Sequence, residues 1–183
     1  MPRSSIIVLL GTLLAAVGCN SRPHAPALLN EPIYQDDLAG FRLEIPDSWI
    51  IYAKSNLTRG EPLPEERKLV GYRLSRAEKP AMFEISCMDL PDGADLTAYF
   101  TRHGAGPSPW HREGTPESIT LGTMPAQRLV FVTGSGTKAE RKEVVAVRIG
   151  GRTYFFTLVS APTDAETREA VRRRLAGMTW KPD

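Results

Sequence analysis

Few residues in this chain have the chemistry of a catalyst. Its 183 residues include three histidines, His24, His103 and His111, and two cysteines, Cys19 and Cys87. A serine hydrolase of the α/β type needs its nucleophile on a strained G-x-S-x-G turn between a strand and a helix. Gly134-Ser135-Gly136 is the nearest approach, but it is too short and lies between two strand-like segments, so it predicts a hairpin loop. Residues 134–138 equally lack the G-x-x-x-x-G-K spacing and the following helix of a phosphate-binding loop. His103, His111, Glu113 and Glu117 are metal-ligand types, yet no pair has the i, i+4 spacing that sets two ligands on one helix face. The sequence therefore predicts no catalytic residue, no metal and no cofactor.

Cys19 carries the clearest chemical expectation. Residues 1–18 have the layout of an export signal, with Arg3 in a short leading segment and an apolar run over 6–17. That run is shorter than the about 20 residues a bilayer-spanning helix takes. Ala16-Val17-Gly18-Cys19 resembles a bacterial lipobox, in which cleavage precedes a cysteine that carries diacylglycerol; Ala16 stands where that pattern usually has Leu. Residues 20–33, NSRPHAPALLNEPI, hold three prolines and no period, and read as a tether. A flexible coil of about fourteen residues reaches on the order of 20 Å. The expected layout is a signal peptide at 1–18, a lipidated tether at 19–33 and one domain at 34–183, anchored at the bacterial cell envelope and facing the periplasm or exterior. With Cys19 acylated, Cys87 has no partner for a disulfide, and its phase with Phe83 and Ile85 makes it a small buried hydrophobe.

Removing 1–18 takes only Arg3 from the 23 basic residues, which leaves 22 against 21 acidic ones. So even a balance supplies no field to draw in nucleic acid. Arg168, Arg172, Arg173 and Arg174 sit on a predicted helix and read as its solvated surface, with Arg168 and Arg172 stacked at i, i+4.

The elements that must position these groups are mostly strands. Residues 41–45 alternate apolar and charged, Pro46-Asp47-Ser48 interrupts, and 49–52 resume the pattern; Trp49 is placed to close one end of the core. Residues 55–68 form a surface loop, and 69–74 with 81–90 form a hairpin. Residues 118–161 read as a meander, with strands at 128–133, 144–149 and 154–159. Gly150-Gly151 joins the last two, and a type I′ turn needs positive φ at both of its central residues. Tyr154, Phe156 and Leu158 fall on one side of the last strand, Phe155 and Val159 on the other, so both faces of the sheet need cover.

Two or three helices are expected to supply it, and two can be placed. The first spans 92–104, with Leu96, Tyr99, Phe100 and His103 on one stripe and His103 near the negative end of the dipole. The second spans 163–177, opened by Thr163-Asp164-Ala165-Glu166 as a capping box and closed by Gly177, with Val171, Leu175 and Met178 inward and Trp180 packing back on the sheet. The fold class is α/β of the α+β kind, an antiparallel sheet flanked by helices on both faces.

Between the first helix and the meander lies 104–117, GAGPSPWHREGTPE, with three glycines and three prolines around Trp110, His111 and Arg112. Long unpatterned loops carry function disproportionately, and Trp is a favoured interface anchor. Trp110 is thus the candidate partner-binding residue, with His111 and Arg112 beside it. In the competing reading Trp110 folds back as a lid on the core.

Over about 41–180 the chain resembles the PsbP-like fold family, which includes the DcrB-type bacterial lipoproteins. The resemblance is carried by Phe41-Arg42-Leu43-Glu44-Ile45-Pro46 with Trp49, by Leu121-Gly122 leading through Pro125-Ala126 into a strand, by Gly151-Arg152-Thr153-Tyr154-Phe155-Phe156, and by Met178-Thr179-Trp180 after the closing helix. It implies an α/β/α sandwich and a protein that binds or assembles other components without catalysing. The resulting expectation is a non-catalytic envelope lipoprotein that meets the membrane through its lipid anchor and binds an unidentified protein partner. The alternative is a small-molecule or metal-binding, enzyme-like protein with its site in 104–117.

Overall fold

The glycine pair closes the central hairpin of the main sheet. In the computed structural model, which describes residues 33–74, 80–102 and 109–181, Gly150 and Gly151 take φ of 58° and 83°. They turn β9 (Glu140–Ile149) back into β10 (Arg152–Ser160) with Arg152 opposite Ile149. Neither angle suits a residue with a Cβ, which is why the pair is Gly-Gly.

Around this hairpin the main sheet assembles in the order β3 (Trp49–Lys54), β4 (Arg67–Leu74), β5 (Met82–Met88), β10, β9, β8 (Met124–Thr133) and β6 (His111–Arg112). A further strand, β7 (Glu117–Leu121), pairs with the other end of β8. Every pairing is antiparallel. In β7–β8 the turn glycine, Gly122, has φ of 59°, and a Cβ there would lie 3.1 Å from the Trp180 ring.

The alternation in β10 divides the interior in two. Tyr154, Phe156 and Leu158 join one cluster, and Phe155 joins the other. The first cluster is roofed by a second, three-stranded sheet, ordered β1 (Ile33–Asp36), β2 (Phe41–Glu44) and β11 (Thr179–Trp180). Phe41 is fully buried at its centre, with ring centroids 5.8 Å from Tyr34, 5.8 Å from Tyr154, 5.5 Å from Phe156 and 5.6 Å from Trp180. Burial of such a side chain is worth about 1.5–3 kcal/mol, so Phe41 is a principal tie between the two sheets. Val171 and Leu175 of α2 (Ala165–Ala176), with Met178, complete that roof. On the other face Phe100 of α1 (Leu96–Arg102) packs with Phe131 and Phe155, its ring meeting Phe155 edge-on at 5.0 Å.

The chain is therefore mostly antiparallel sheet, and full helical layers of an α/β/α sandwich are not seen: α1 packs on one cluster, and α2 shares the cover of the other with the small sheet. Among the described residues there are two α-helices, of seven and twelve residues, and the small sheet does much of the work assigned to them. α1 begins at Leu96 rather than 92 because Gly93 takes φ of 74°, outside helical space, and the Asp95 carboxylate accepts the Ala98 amide at 3.0 Å in the first turn. α2 is capped by Asp164, which accepts the Thr167 amide at 3.2 Å, one residue later than the Thr163 box predicts. Gly177 does end α2 but at φ −86°, so its role does not depend on a left-handed backbone. Strand β1 begins at Ile33, inside the stretch read as tether, because Tyr34 and Asp36 turn inward and pair with β2. Cys19, the export-type segment, His24 and His103 lie outside the described residues.

Candidate partner-binding site

Trp110, His111 and Arg112 do not act as one exposed patch. Trp110 is 3% exposed and packs in the cluster of Phe100, Phe131, Leu129 and Phe155. The indole is thus unavailable as a surface anchor, and the geometry is that of the lid. The strand behind it explains why: His111 and Arg112 pair with Val132 and Phe131, and the Thr133 hydroxyl donates to the Pro109 carbonyl at 3.0 Å, so the chain is pressed against the sheet as it enters β6. His111 and Arg112, in contrast, are exposed. The Arg112 guanidinium reaches the Thr97 hydroxyl of α1 at 3.4 Å, and the adjoining Glu113 carboxylate pairs with Arg141. This short strand closes the β8 end of the sheet, opposite to the β3 end.

Beneath Trp110 sits a residue that sequence patterning passed over. Lys142 points into the same cluster from β9, with its ammonium 4.5 Å from the centre of the Trp110 ring, 5.1 Å from Phe131 and 5.6 Å from Phe100. It donates to the Phe100 carbonyl at 3.2 Å, near the C-terminal end of α1 where a cation opposes the dipole. Burial pushes its pKa down to about 8, and the Glu66 carboxylate opposes that shift. Three ring faces and a carbonyl therefore recover only part of the lost hydration. Lys142 links α1, β9 and the segment that enters β6, and its place in phase with Val144 and Ala146 was the signal available in the sequence. The Trp110 indole nitrogen has no hydrogen-bond partner among the described residues.

A second charged cluster lies on the first face. Glu143, buried, accepts both arms of Arg172 at 3.0 and 2.7 Å and pairs with Arg168 at 3.5 Å and Arg141 at 3.2 Å. Arg168 and Arg172 are thus structural ties rather than a solvated surface; Arg174 likewise pairs with Glu44, and Arg173 is exposed. The i, i+4 spacing of Arg168 and Arg172 was visible, whereas Glu143, 29 residues away from Arg172, was not an evident partner.

For nucleophilic or metal chemistry the described residues offer little. No three of His, Cys, Asp and Glu among them converge in a metal-holding group. Cys87 is fully buried, and burial pushes its thiol up to about 11, so it stays protonated near neutrality. A cleft of about 540 Å³ opens beside the β9–β10 turn, far along the strands from β6, and includes Arg59, Glu61, Asp89, Arg152 and Tyr154. The Arg152 guanidinium there is already committed to Asp89 at 2.8 Å and to the Glu61 carbonyl at 2.5 Å.

Solved structures share the overall fold. The solution structure of cyanobacterial PsbP (CyanoP) from Synechocystis sp. PCC 6803 aligns with a TM-score of 0.57 at 14% identity, over 81% of this chain and 91% of that one. The fold is PsbP-like. A Bacteroides thetaiotaomicron structure aligns at a TM-score of 0.51 and 9% identity, over 83% of this chain and 49% of that one. LpqN, described as involved in cell envelope biogenesis of Mycobacterium tuberculosis, aligns at 0.45 and 16%, over 78% of this chain and 83% of that one. No protein-family model and no curated protein matches the chain. At these identities the likeness concerns the PsbP-like architecture alone.

Proposed function

We propose that this PsbP-like protein is a non-catalytic envelope lipoprotein, anchored through Cys19 and facing the periplasm or exterior, that binds or helps assemble a protein complex. The observation that carries the reading is the division of labour at 110–112: Trp110 packs inward against Lys142, and the exposed His111 and Arg112 lie on the edge strand of the sheet. Exposed polar groups on an edge strand suit recognition of a protein segment, which can pair with the strand through main-chain hydrogen bonds while side chains select it. The protein partner is expected to engage this rim rather than the Trp110 ring. No helix among the described residues is long and apolar enough to cross a membrane; in this reading the lipid on Cys19 is what holds the protein at the membrane.

The test is capture from cells of the tagged, full-length protein and of its His111→Ala/Arg112→Ala variant. The variant should melt within about 0.5 kcal/mol of the parent, as surface changes usually do, and should lose its partner. Unchanged capture would remove the rim from consideration. In parallel, Cys19→Ala should release the protein from membranes, and an intact mass showing an unmodified Cys19, or cleavage elsewhere, would refute the anchor.

A further inference from the structure

The cleft of about 540 Å³ beside the β9–β10 turn lies where the two sheets meet. One wall is the β1–β2 turn with Leu38 and Ala39, the second is the loop 58–62 between β3 and β4, and the third is the hairpin end with Ile149, Gly150 and Gly151. That size falls within the about 300–1,000 Å³ typical of small-molecule sites. A Cβ placed on Gly60, Gly150 or Gly151 would meet nothing within 4 Å, so bare backbone borders open space on two of the three walls. Leu38 is 41% exposed on the first wall, and Ala39 and Ile149, partly buried against the core, extend an apolar side.

Each carboxylate in or beside the cleft already has partners. Glu61 pairs with Arg67 at 2.6 Å, Asp89 with Arg152 at 2.8 Å and Asp37 with Lys181 at 2.6 Å. The buried Asp36 carboxylate accepts the Leu38 and Ala39 amides at 3.0 and 2.8 Å. Arg59 differs: it is exposed in the 58–62 loop, lines the cleft, and makes no hydrogen bond or ion pair with any described residue. A planar guanidinium takes a carboxylate through two parallel hydrogen bonds. A dianion such as phosphate would bring two charges to one uncommitted cation while facing Glu61 and Asp89, whereas Arg59 alone balances a monoanion. We infer that this cleft binds small organic acids with one carboxylate and a short aliphatic arm, the carboxylate on Arg59 and the arm against Leu38, Ala39 and Ile149. The site is remote from the β6 rim and depends on neither the lipid anchor nor a protein partner.

The probes are N-acetyl-leucine and its uncharged counterpart N-acetyl-leucinamide, followed by saturation-transfer NMR against the full-length protein in zwitterionic nanodiscs, with empty nanodiscs as the blank. The acid, of about a dozen non-hydrogen atoms, should bind with a dissociation constant of about 1 mM. The amide should bind at least about tenfold more weakly, the worth of a charge-assisted pair of hydrogen bonds. Arg59→Gln should reduce acid binding by the same factor, leave amide binding unchanged and melt with the parent, because Arg59 has no partner to lose. Leu38→Ser should weaken acid and amide alike, and inorganic phosphate at equal concentration should not displace the acid. Acid and amide binding equally, acid binding indifferent to Arg59→Gln, or no saturation transfer to the acid at about ten times the expected constant each overturn the proposal. Displacement by phosphate does so too, since it would show a surface cation open to any anion. The capped tetrapeptide acetyl-Gly-Ser-Gly-Leu with a free C-terminus tells two sources of such a carboxylate apart: binding tighter than that of N-acetyl-leucine assigns the site to chain termini, and equal or weaker binding assigns it to free acids.

Discussion

Replacing Trp110 with alanine separates a lid from an interface residue. The indole is 3% exposed and touches a buried cluster, so truncation removes a large apolar side chain without a partner able to fill the space. Such Trp→Ala changes cost about 3–5 kcal/mol. The ring also faces the Lys142 ammonium at 4.5 Å, and losing that contact leaves a buried cation less well compensated, which places the expected cost toward the upper end. For a domain of about 150 residues, each kcal/mol moves the melting temperature by about 2–4 °C, so Trp110→Ala should melt about 8–20 °C lower. Trp110→Phe should behave differently. Its ring still lies under Lys142, and the indole N–H it lacks has no acceptor to lose, so only the area difference remains, about 1–2 kcal/mol. Urea titration and thermal melting of the full chain measure both. An alanine variant within 1 kcal/mol of the parent, or a phenylalanine variant as damaged as alanine, would refute the lid.

Three further outcomes follow from the packing. Glu143→Ala should cost about 2–3 kcal/mol by urea titration, less than the 3–5 of a wholly buried pair because Arg172 keeps 36% of its side chain in solvent. Leu175→Ala should cost about 2–5 kcal/mol, and a melt that scarcely moves would show that α2 does not help roof the core. Since folding lowers the Lys142 pKa from 10.5 to about 8, the unfolded chain binds more protons between those values and stability should rise with pH there, by up to about 3 kcal/mol. Burial raises the pKa of Tyr34 and Tyr154, a contribution lost as pH climbs past the ordinary tyrosine range, so the rise is best read below pH 10 as parent minus Lys142→Met.

The parts of the fold legible in the sequence were those where local chemistry and tertiary need coincide. Gly150-Gly151 announced its turn because two consecutive positive φ angles admit little else, and the observed pair has both. The two phases of β10 announced two buried faces, and each now belongs to its own cluster. What covers those faces was not legible. Residues 33–36 are four residues long at the end of a proline-bearing stretch, and their only structural meaning lies in pairing with β2 and burying Tyr34 against Phe41. A strand that short has no period to detect; it exists because a partner is there. The helix starts shifted for a related reason: the cap moved from Thr163 to Asp164, which differ little in intrinsic preference, so the tertiary path selected between them.

At the candidate site the sequence left Trp110 between interface and lid, and contact rather than composition decides for the lid. Glycines and prolines around Trp110 describe a chain without regular pattern, and such a chain can as readily wrap a core as project from it. The deciding residue was Lys142, in another strand. A single lysine in phase with Val144 and Ala146 on a buried face must find its ammonium a set of partners, and aromatic faces with a free carbonyl are the partners a mostly apolar cluster can offer. Phe131 lies directly across from Lys142, and Phe100 ends the stripe of α1; a third ring was needed to close the remaining side, and Trp110 is the aromatic that the next segment brings. Trp110 thus completes the aromatic set around a charge placed inside the sheet, and the chain then passes onto the edge strand, where His111 and Arg112 are exposed and Arg112 reaches Thr97 of α1.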